Sequence, residues 1–147
     1  MKRYLLLTVY IFLLVIFTNQ LMSQYVRQWV ARHSSKMKNG NDGSAAIIND
    51  ALGNMYVTGW TSSSSTGVDF TTIKYSSFGA QEWVSTYNYS GNSEDRAVAI
   101  AVDTAGNVYV TGWNHGGSSG YDFLTIKYDR NGSIVWTVKY NLLSVLI

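Results

Sequence analysis

The chain has 147 residues, enough for one domain with a real hydrophobic core. Hydrophobic residues make up 46% and charged residues 14%, with 11 Tyr and 5 Trp, which excludes a disordered chain and suits sheets. Cysteine is absent, which excludes disulfides, thiolate metal sites and a lipid-modified cysteine, and the formal charge of +2 comes from Lys2 and Arg3, without which acids and bases balance and no basic run is left to hold nucleic acid.

Residues 1–23 have the layout of a signal peptide. Lys2-Arg3 is a short positive start, Tyr4–Phe17 is an apolar run interrupted only by Thr8, and Thr18–Gln24 is polar, with Ser23 as the small residue before a cut. The run is about 14 residues, short of the roughly 20 that cross a bilayer as a helix. Length and flanks favour a cleaved signal over an N-terminal membrane anchor, although Leu21 is a mediocre residue for its place before the cut. Either way the rest of the chain is expected to be exported, secreted or at the cell surface. An uncleaved segment would meet the membrane only through residues 4–18.

Residues 24–44 are a lead-in. Within it Gln28-Trp29-Val30 matches, one residue out of step, the segments around Trp83 and Trp136, and predicts one extra N-terminal strand, the outer strand of a preceding blade.

The decisive feature is a repeat at a spacing of 53 residues. The segment from Asp50 to Trp60 (DALGNMYVTGW) returns from Asp103 to Trp113 (DTAGNVYVTGW), and Asp69 to Tyr75 (DFTTIKY) returns as Asp122 to Tyr128 (DFLTIKY). Aligning 42–88 with 95–141 gives 23 identities in 47 positions without a gap. Each unit, 45–88 and 89–141, divides into four short strands rich in Val, Ile, Tyr, Thr and Trp, with no sustained helical period. In the second unit the strands are expected at 97–102, 107–113, 122–128 and 133–140.

With 13 Gly and no Pro, the turns fall to Gly, Asn and Asp. Asp50, Gly53 and Asn54, and again Asp103, Gly106 and Asn107, are structural turn residues: the Asp side chain accepts backbone N–H groups and the Gly supplies a positive φ. Asp129-Arg-Asn-Gly132 serves the last hairpin in the same way. Strands two and three are joined by longer Ser- and Gly-rich loops, 61–68 and 114–121. Several strands are apolar on both faces; Phe123 points opposite to Leu124 and Ile126. A sheet covered on both sides fits a blade stacked between others. The expected fold is therefore all-β: antiparallel four-stranded blades of a β-propeller, two blades plus the extra N-terminal strand, an incomplete propeller.

The signature Asp-x-x-Gly-Asn-x-Tyr-Val-Thr-Gly, preceded in the second unit by Asp95-Arg-Ala-Val-Ala-Ile-Ala-Val, resembles the SBBP repeat of bacterial seven-bladed β-propellers over about residues 25–141. The resemblance implies an exported or surface propeller with no assigned chemistry in most members. The chain departs from it in copy number, two units where closed propellers have four to eight blades. The divergent apolar tail 142–147 then replaces the expected polar link, so a fragment of a longer propeller is the expected product.

No constellation reads as catalytic. Gly116-Gly-Ser-Ser-Gly120, near His115 and Asp122, matches a nucleophile-elbow pattern, but that motif needs a helix after it and a strand follows here. Asp50/Asp103, Asp69/Asp122 and the Asn92–Asp95 segment gather oxygen donors that calcium would need, yet turn capping already explains the Asp-x-x-Gly spacing, so no metal and no cofactor is expected. Lys74/Lys127 are read as stems packed on aromatic rings with their ammonium groups paired to a repeated Asp, rather than as a ring of cations. Trp60 and Trp113 end the second strand of each unit; exposed, they and His115 would stack on a sugar or peptide, and buried, they fill the gap between blades. If the chain binds anything, the loops 61–68, 88–95 and 114–121 are the place.

The sequence thus predicts a non-enzymatic, exported repeat module for surface binding or scaffolding. Its expected partners are other propeller blades or copies of itself, with a surface glycan or protein also in view and no nucleic acid. The alternative is a two-blade chain that oligomerises into a full propeller, with carbohydrate binding as its use.

Overall fold

The computed structural model describes residues 29–35, 37–89, 93–115 and 120–141. The signal segment 1–23, most of the Gly116–Gly120 loop and the tail 142–147 lie outside them. Among the described residues there is no helix, and none long and apolar enough to cross a membrane. A compact unit spans Ala31–Ile147 and contains all the strands; of the unit Met1–Val30 only Trp29 and Val30 are described.

The eight strands are β1 (Gly43–Asn49), β2 (Met55–Ser63), β3 (Gly67–Tyr75), β4 (Gln81–Tyr87), β5 (Asp95–Val102), β6 (Val108–His115), β7 (Tyr121–Tyr128) and β8 (Ile134–Tyr140). They form two four-stranded antiparallel sheets, β1-β2-β3-β4 and β5-β6-β7-β8, each in sequence order and neither closed on itself. These are two propeller blades. The repeat extends to irregularities: the ladder of each blade slips once between its first two strands, at Ser44/Ala46 and Ala97/Ala99, and once between its last two, at Lys74/Tyr75 and Lys127/Tyr128.

The signature residues explain the hairpins. Gly59 and Gly112 lie where the main chain of the first strand comes close: a Cβ would stand 2.0 Å from Gly43 O and from Arg96 O respectively. Thr58 and Thr111 each bond a threonine across the ladder, Thr72 at 3.0 Å and Thr125 at 3.1 Å. Such pairs hold the register of a half-polar face.

Period-two alternation sorts the two faces of each blade. Val108, Val110, Leu124, Ile126 and Tyr128 point from the second blade toward the first and are fully buried. Tyr56, Thr58, Phe70 and Thr72 point from the first blade toward the second and are buried as well. The core is thus the seam between blades, with Trp83, Tyr89 and Ile100 packed at its margins.

Of the outer strand expected for a preceding blade, Trp29 and Val30 are not in a strand, and Gln28 with the residues before it lies outside the described residues. Two other expectations need correction. The loops joining second and third strands are shorter than expected, because main-chain pairing ignores the Ser-rich side chains: Thr61 pairs with Asp69, Ser62 with Val68 and Ser63 with Gly67. Lys74 does lie over the Tyr56 ring, at 5.5 Å, but its ammonium pairs with Glu82 at 2.8 Å, an acid that the second blade replaces with Val135.

Candidate functional site

The two Asp–Asn turns are the same device built twice. Asp50 Oδ1 accepts the N–H groups of Leu52 and Asn54, both at 2.9 Å, while Oδ2 accepts from Asn54 Nδ2 at 2.9 Å and the Tyr56 hydroxyl at 3.1 Å. Asp103 repeats this with Ala105 N (3.0 Å), Asn107 N (2.8 Å), Asn107 Nδ2 (2.8 Å) and Tyr109 Oη (3.2 Å). Gly53 and Gly106 take φ of 79° and 82° to close each turn. Asn107 and the main chain hold the Asp103 carboxyl below its usual range; at Asp50 burial opposes the same shift and is outweighed by Asn54 and Tyr56. A cleft of about 470 Å³ lies between the two turns, lined by Asp50, Asp103, Lys74 and Arg130 among others, but both Asp and Lys74 are already engaged with their own neighbours.

At the opposite end of the seam lies a polar row on the second blade. Val68 forms a parallel bridge with Glu94, which brings the start of β3 near the start of β5. Asp95 pairs in register with Asn114, and Asn114 with Asp122. Ladder neighbours share a face, so Asp95, Asn114 and Asp122 form one line on the second blade, while Asp69 lies on the face of β3 opposite Phe70. All four residues are buried. Asp122 is paired with Lys139 at 2.8 Å. Asp69 accepts from the Thr66 hydroxyl, and Asp95 Oδ2 accepts the Tyr89 N–H at 2.7 Å. Asp69 Oδ1, Asp95 Oδ1 and both amide atoms of Asn114 are buried with no partner. Burial pushes the Asp95 carboxyl up to about 6; the Tyr89 N–H opposes this and the Asp69 carboxylate adds to it. Among the described residues no three His, Cys, Asp or Glu side chains converge as a metal cluster.

Beside this row Arg96 sits between the two tryptophans of the signature. Its guanidinium lies 4.8 Å from the Trp60 ring centre and 5.7 Å from that of Trp113, and 3.5 Å from Glu94. Trp60 also lies across Gly43, whose absent Cβ would stand 2.3 Å from its ring. Trp60 is therefore built into the seam. Trp113 opens outward: with Tyr121, Asp122 and Phe123 it lines a cavity of about 430 Å³. Tyr121 stands edge-on to Trp113 at 4.9 Å and to His115 at 5.1 Å. His115 is tied by its main chain, its N–H to Glu94 O at 2.9 Å and its carbonyl to the Ser93 hydroxyl at 2.7 Å.

The repeat allows a direct comparison of covered and uncovered faces. Phe70 is 0% exposed because the second blade covers it, whereas its counterpart Phe123 is 69% exposed, and Tyr121 beside it 68%. Trp83 of the first blade packs against Tyr128 and Gly132 of the second; its counterpart Trp136 is exposed.

Sequence reasoning singled out Trp60, Trp113 and His115, and the structure brings Trp113 and His115 together through Tyr121. It missed Arg96 and Asn114. Arg96 has no counterpart, since the first blade has Gly43 there, and Asn114 is replaced by Thr61. The acids did carry a signal: Asp122 repeats Asp69, and Asp95 repeats Asp42, which likewise accepts main-chain N–H groups, those of Ser35 at 2.6 Å and Ser62 at 2.9 Å.

Residues 86–117 match the SBBP beta-propeller repeat, a stretch that runs from the end of β4 through the Asp103 turn to just past β6. No curated protein matches the chain.

Proposed function

We propose that this chain, which carries an SBBP-type β-propeller repeat, is a non-enzymatic, exported module for surface binding or scaffolding, and that its working surface is the outward face of the second blade. The observation that carries this reading is the contrast between Phe70 and Phe123. The same repeat position is sealed where a blade follows and open where none is described, so the open face is shaped to receive another blade of the same kind. Contiguous exposed aromatic surface of this sort marks an interaction site.

The test is the mass of the full chain in solution across a concentration series. Association that grows with concentration and is abolished by Phe123→Lys, with the unfolding temperature unchanged, supports docking between blades of separate copies. A chain that stays monomeric throughout, with Phe123→Lys indistinguishable from it, overturns self-docking.

A second reading rests on the cavity at Trp113, Tyr121 and Phe123, whose aromatic lining suits the apolar face of a sugar. A glycan array probed with the wild type and Trp113→Ala separates the two: carbohydrate binding lost in the variant favours the sugar, and no binding favours the blade.

A further inference from the structure

We infer that the partner of the second blade's outward face is the same face of a second copy, turned end over end about a twofold axis, so that association stops at a dimer. This rests on the docking reading above and names the surface that meets Phe123. Within one chain the residues that share the core cluster with Phe70 include Leu124, Ile126 and Tyr128. A second copy stacking head to tail on Phe123 would have to bring up the same repeat positions of its first blade, Thr71, Ile73 and Tyr75. All three are buried within the single chain, although Ile47 and Val84 at the flanks of that face stay exposed. The centre of the first blade's far face is therefore closed. The second blade's outward face is open at Tyr121, Phe123 and Val138. An open face that meets its own copy makes an isologous contact, which closes on itself and does not propagate.

Charge fixes the orientation. Lys127, Thr125, Phe123 and Tyr121 follow one another along the outward face of β7, two residues apart. In the first blade the equivalent Lys74 pairs with Glu82; Lys127 has Val135 in that place, and no ion pair engages it among the described residues. Two faces meeting with their rows level put both Lys127 ammonium groups on one row, as little as one sheet spacing apart, about 10 Å. Turned end over end about a point between Phe123 and Thr125, each Lys127 lies instead against the exposed Tyr121 ring of the other copy. The two ammonium groups are then about 20 Å apart, beyond the screening length at physiological salt. A cation meets an aromatic ring at both ends of the contact, and Phe123 meets Thr125 at its middle.

The area is that of a weak dimer. Four strands about 4.8 Å apart, each about seven residues long at about 3.4 Å per residue, give a face of roughly 450 Å² per copy. Two such faces total about 900 Å², near the lower limit of specific interfaces. That size class holds reversible contacts, so the monomer should dominate in dilute solution.

The test uses the full chain, whose lack of cysteine lets a single one be introduced cleanly. Analytical ultracentrifugation over a wide concentration series should show monomer and dimer and nothing larger. Val138→Cys, on the outward face of the second blade, should be joined to itself by a short bis-maleimide linker. Thr86→Cys, on the far face of the first blade, should not, and a mixture of the two variants should give no mixed product. Lys127→Gln removes two cation–π contacts per dimer and should weaken it about five- to thirtyfold. A chain monomeric throughout, with Phe123→Lys indistinguishable from it, overturns this inference together with the reading it rests on. Association that Phe123→Lys abolishes, but that grows past two, yields the mixed product or leaves Val138→Cys unlinked, overturns the twofold alone and leaves docking intact. A dimer unchanged or tightened by Lys127→Gln overturns the end-over-end arrangement.

Discussion

Trp83 of the first blade donates its indole N–H to the main-chain carbonyl of Arg130 in the second, at 3.1 Å. The ring also lies 6.2 Å from Tyr56 and 6.2 Å from Tyr128, and its face rests where a side chain at Gly132 would stand 2.6 Å away. Trp83→Phe keeps most of the packing and loses the hydrogen bond, and should cost about 1 kcal/mol. Gly132→Ala introduces the clash and also violates a φ of 83°, so it should cost more, about 2–3 kcal/mol. Urea denaturation of the two variants gives the order; equal losses would mean that the turn moves away from Trp83 at little cost.

Phe70 and Phe123 give the sharpest contrast within the chain. Phe70→Ala empties the middle of the seam and should destabilise by about 3–5 kcal/mol. Phe123→Ala changes an exposed side chain and should stay within about 0.5 kcal/mol in dilute solution, where no copy covers it. The pair of measurements reads blade order directly from equivalent residues. Comparable losses at both positions would mean that something covers Phe123 in the isolated chain.

The contrast also marks where the sequence is informative. Much of what is decided within one hairpin could be read from it: four strands per unit, the Asp-x-x-Gly-Asn turns, the opposite facing of Phe123 and Leu124. The repeat made those readings secure because each was seen twice. The seam was hidden for the opposite reason. Arg96 reaches Trp60 across the blades, and Asn114 lies buried in the seam; at both positions the repeats differ, Gly43 and Thr61 standing in the first blade. Stacking makes neighbours of residues that no periodicity relates. The Ser-rich stretch 61–68 misled through composition, since the ladder between β2 and β3 is made by main-chain groups.

Acid should weaken the hairpins only after it has reached the seam, where Asp95 takes up its proton at about pH 6 and, its folded value being raised, adds stability as pH falls toward 4. The carboxyls of Asp50 and Asp103 are held below their unfolded values by the donors around them. A lowered folded value means that the unfolded chain binds protons first. The stabilisation is therefore complete above the unfolded carboxylate range near pH 4 and is lost as pH falls through the folded values below it. Asp42 adds to the same trend; burial opposes, and the N–H groups of Ser62 and Ser35 prevail. Unfolding temperature measured from about pH 4 down to about pH 2 should fall steadily, and Asp103→Asn should flatten part of that slope. A slope unchanged in the variant would remove Asp103 from the explanation.

Arg96 supplies the last prediction, and here two effects compete. Its guanidinium faces two indole rings, and cation–π contacts contribute about 0.5–1 kcal/mol each at partly exposed sites. Against this, Arg96 Nε is buried with no acceptor, and an unmet donor costs about 1–3 kcal/mol. The two nearly cancel, so Arg96→Met, which keeps an apolar stem and removes the orphaned donor, should change stability by less than about 1 kcal/mol. The attraction becomes visible only as coupling. In double-mutant cycles Arg96→Met with Trp60→Leu should give about 1 kcal/mol, and with Trp113→Leu a smaller value, in the order of the 4.8 Å and 5.7 Å separations. Zero coupling to Trp60 alongside a large loss in Arg96→Met would assign the stabilisation to the ion pair with Glu94 instead, and added salt would then weaken it.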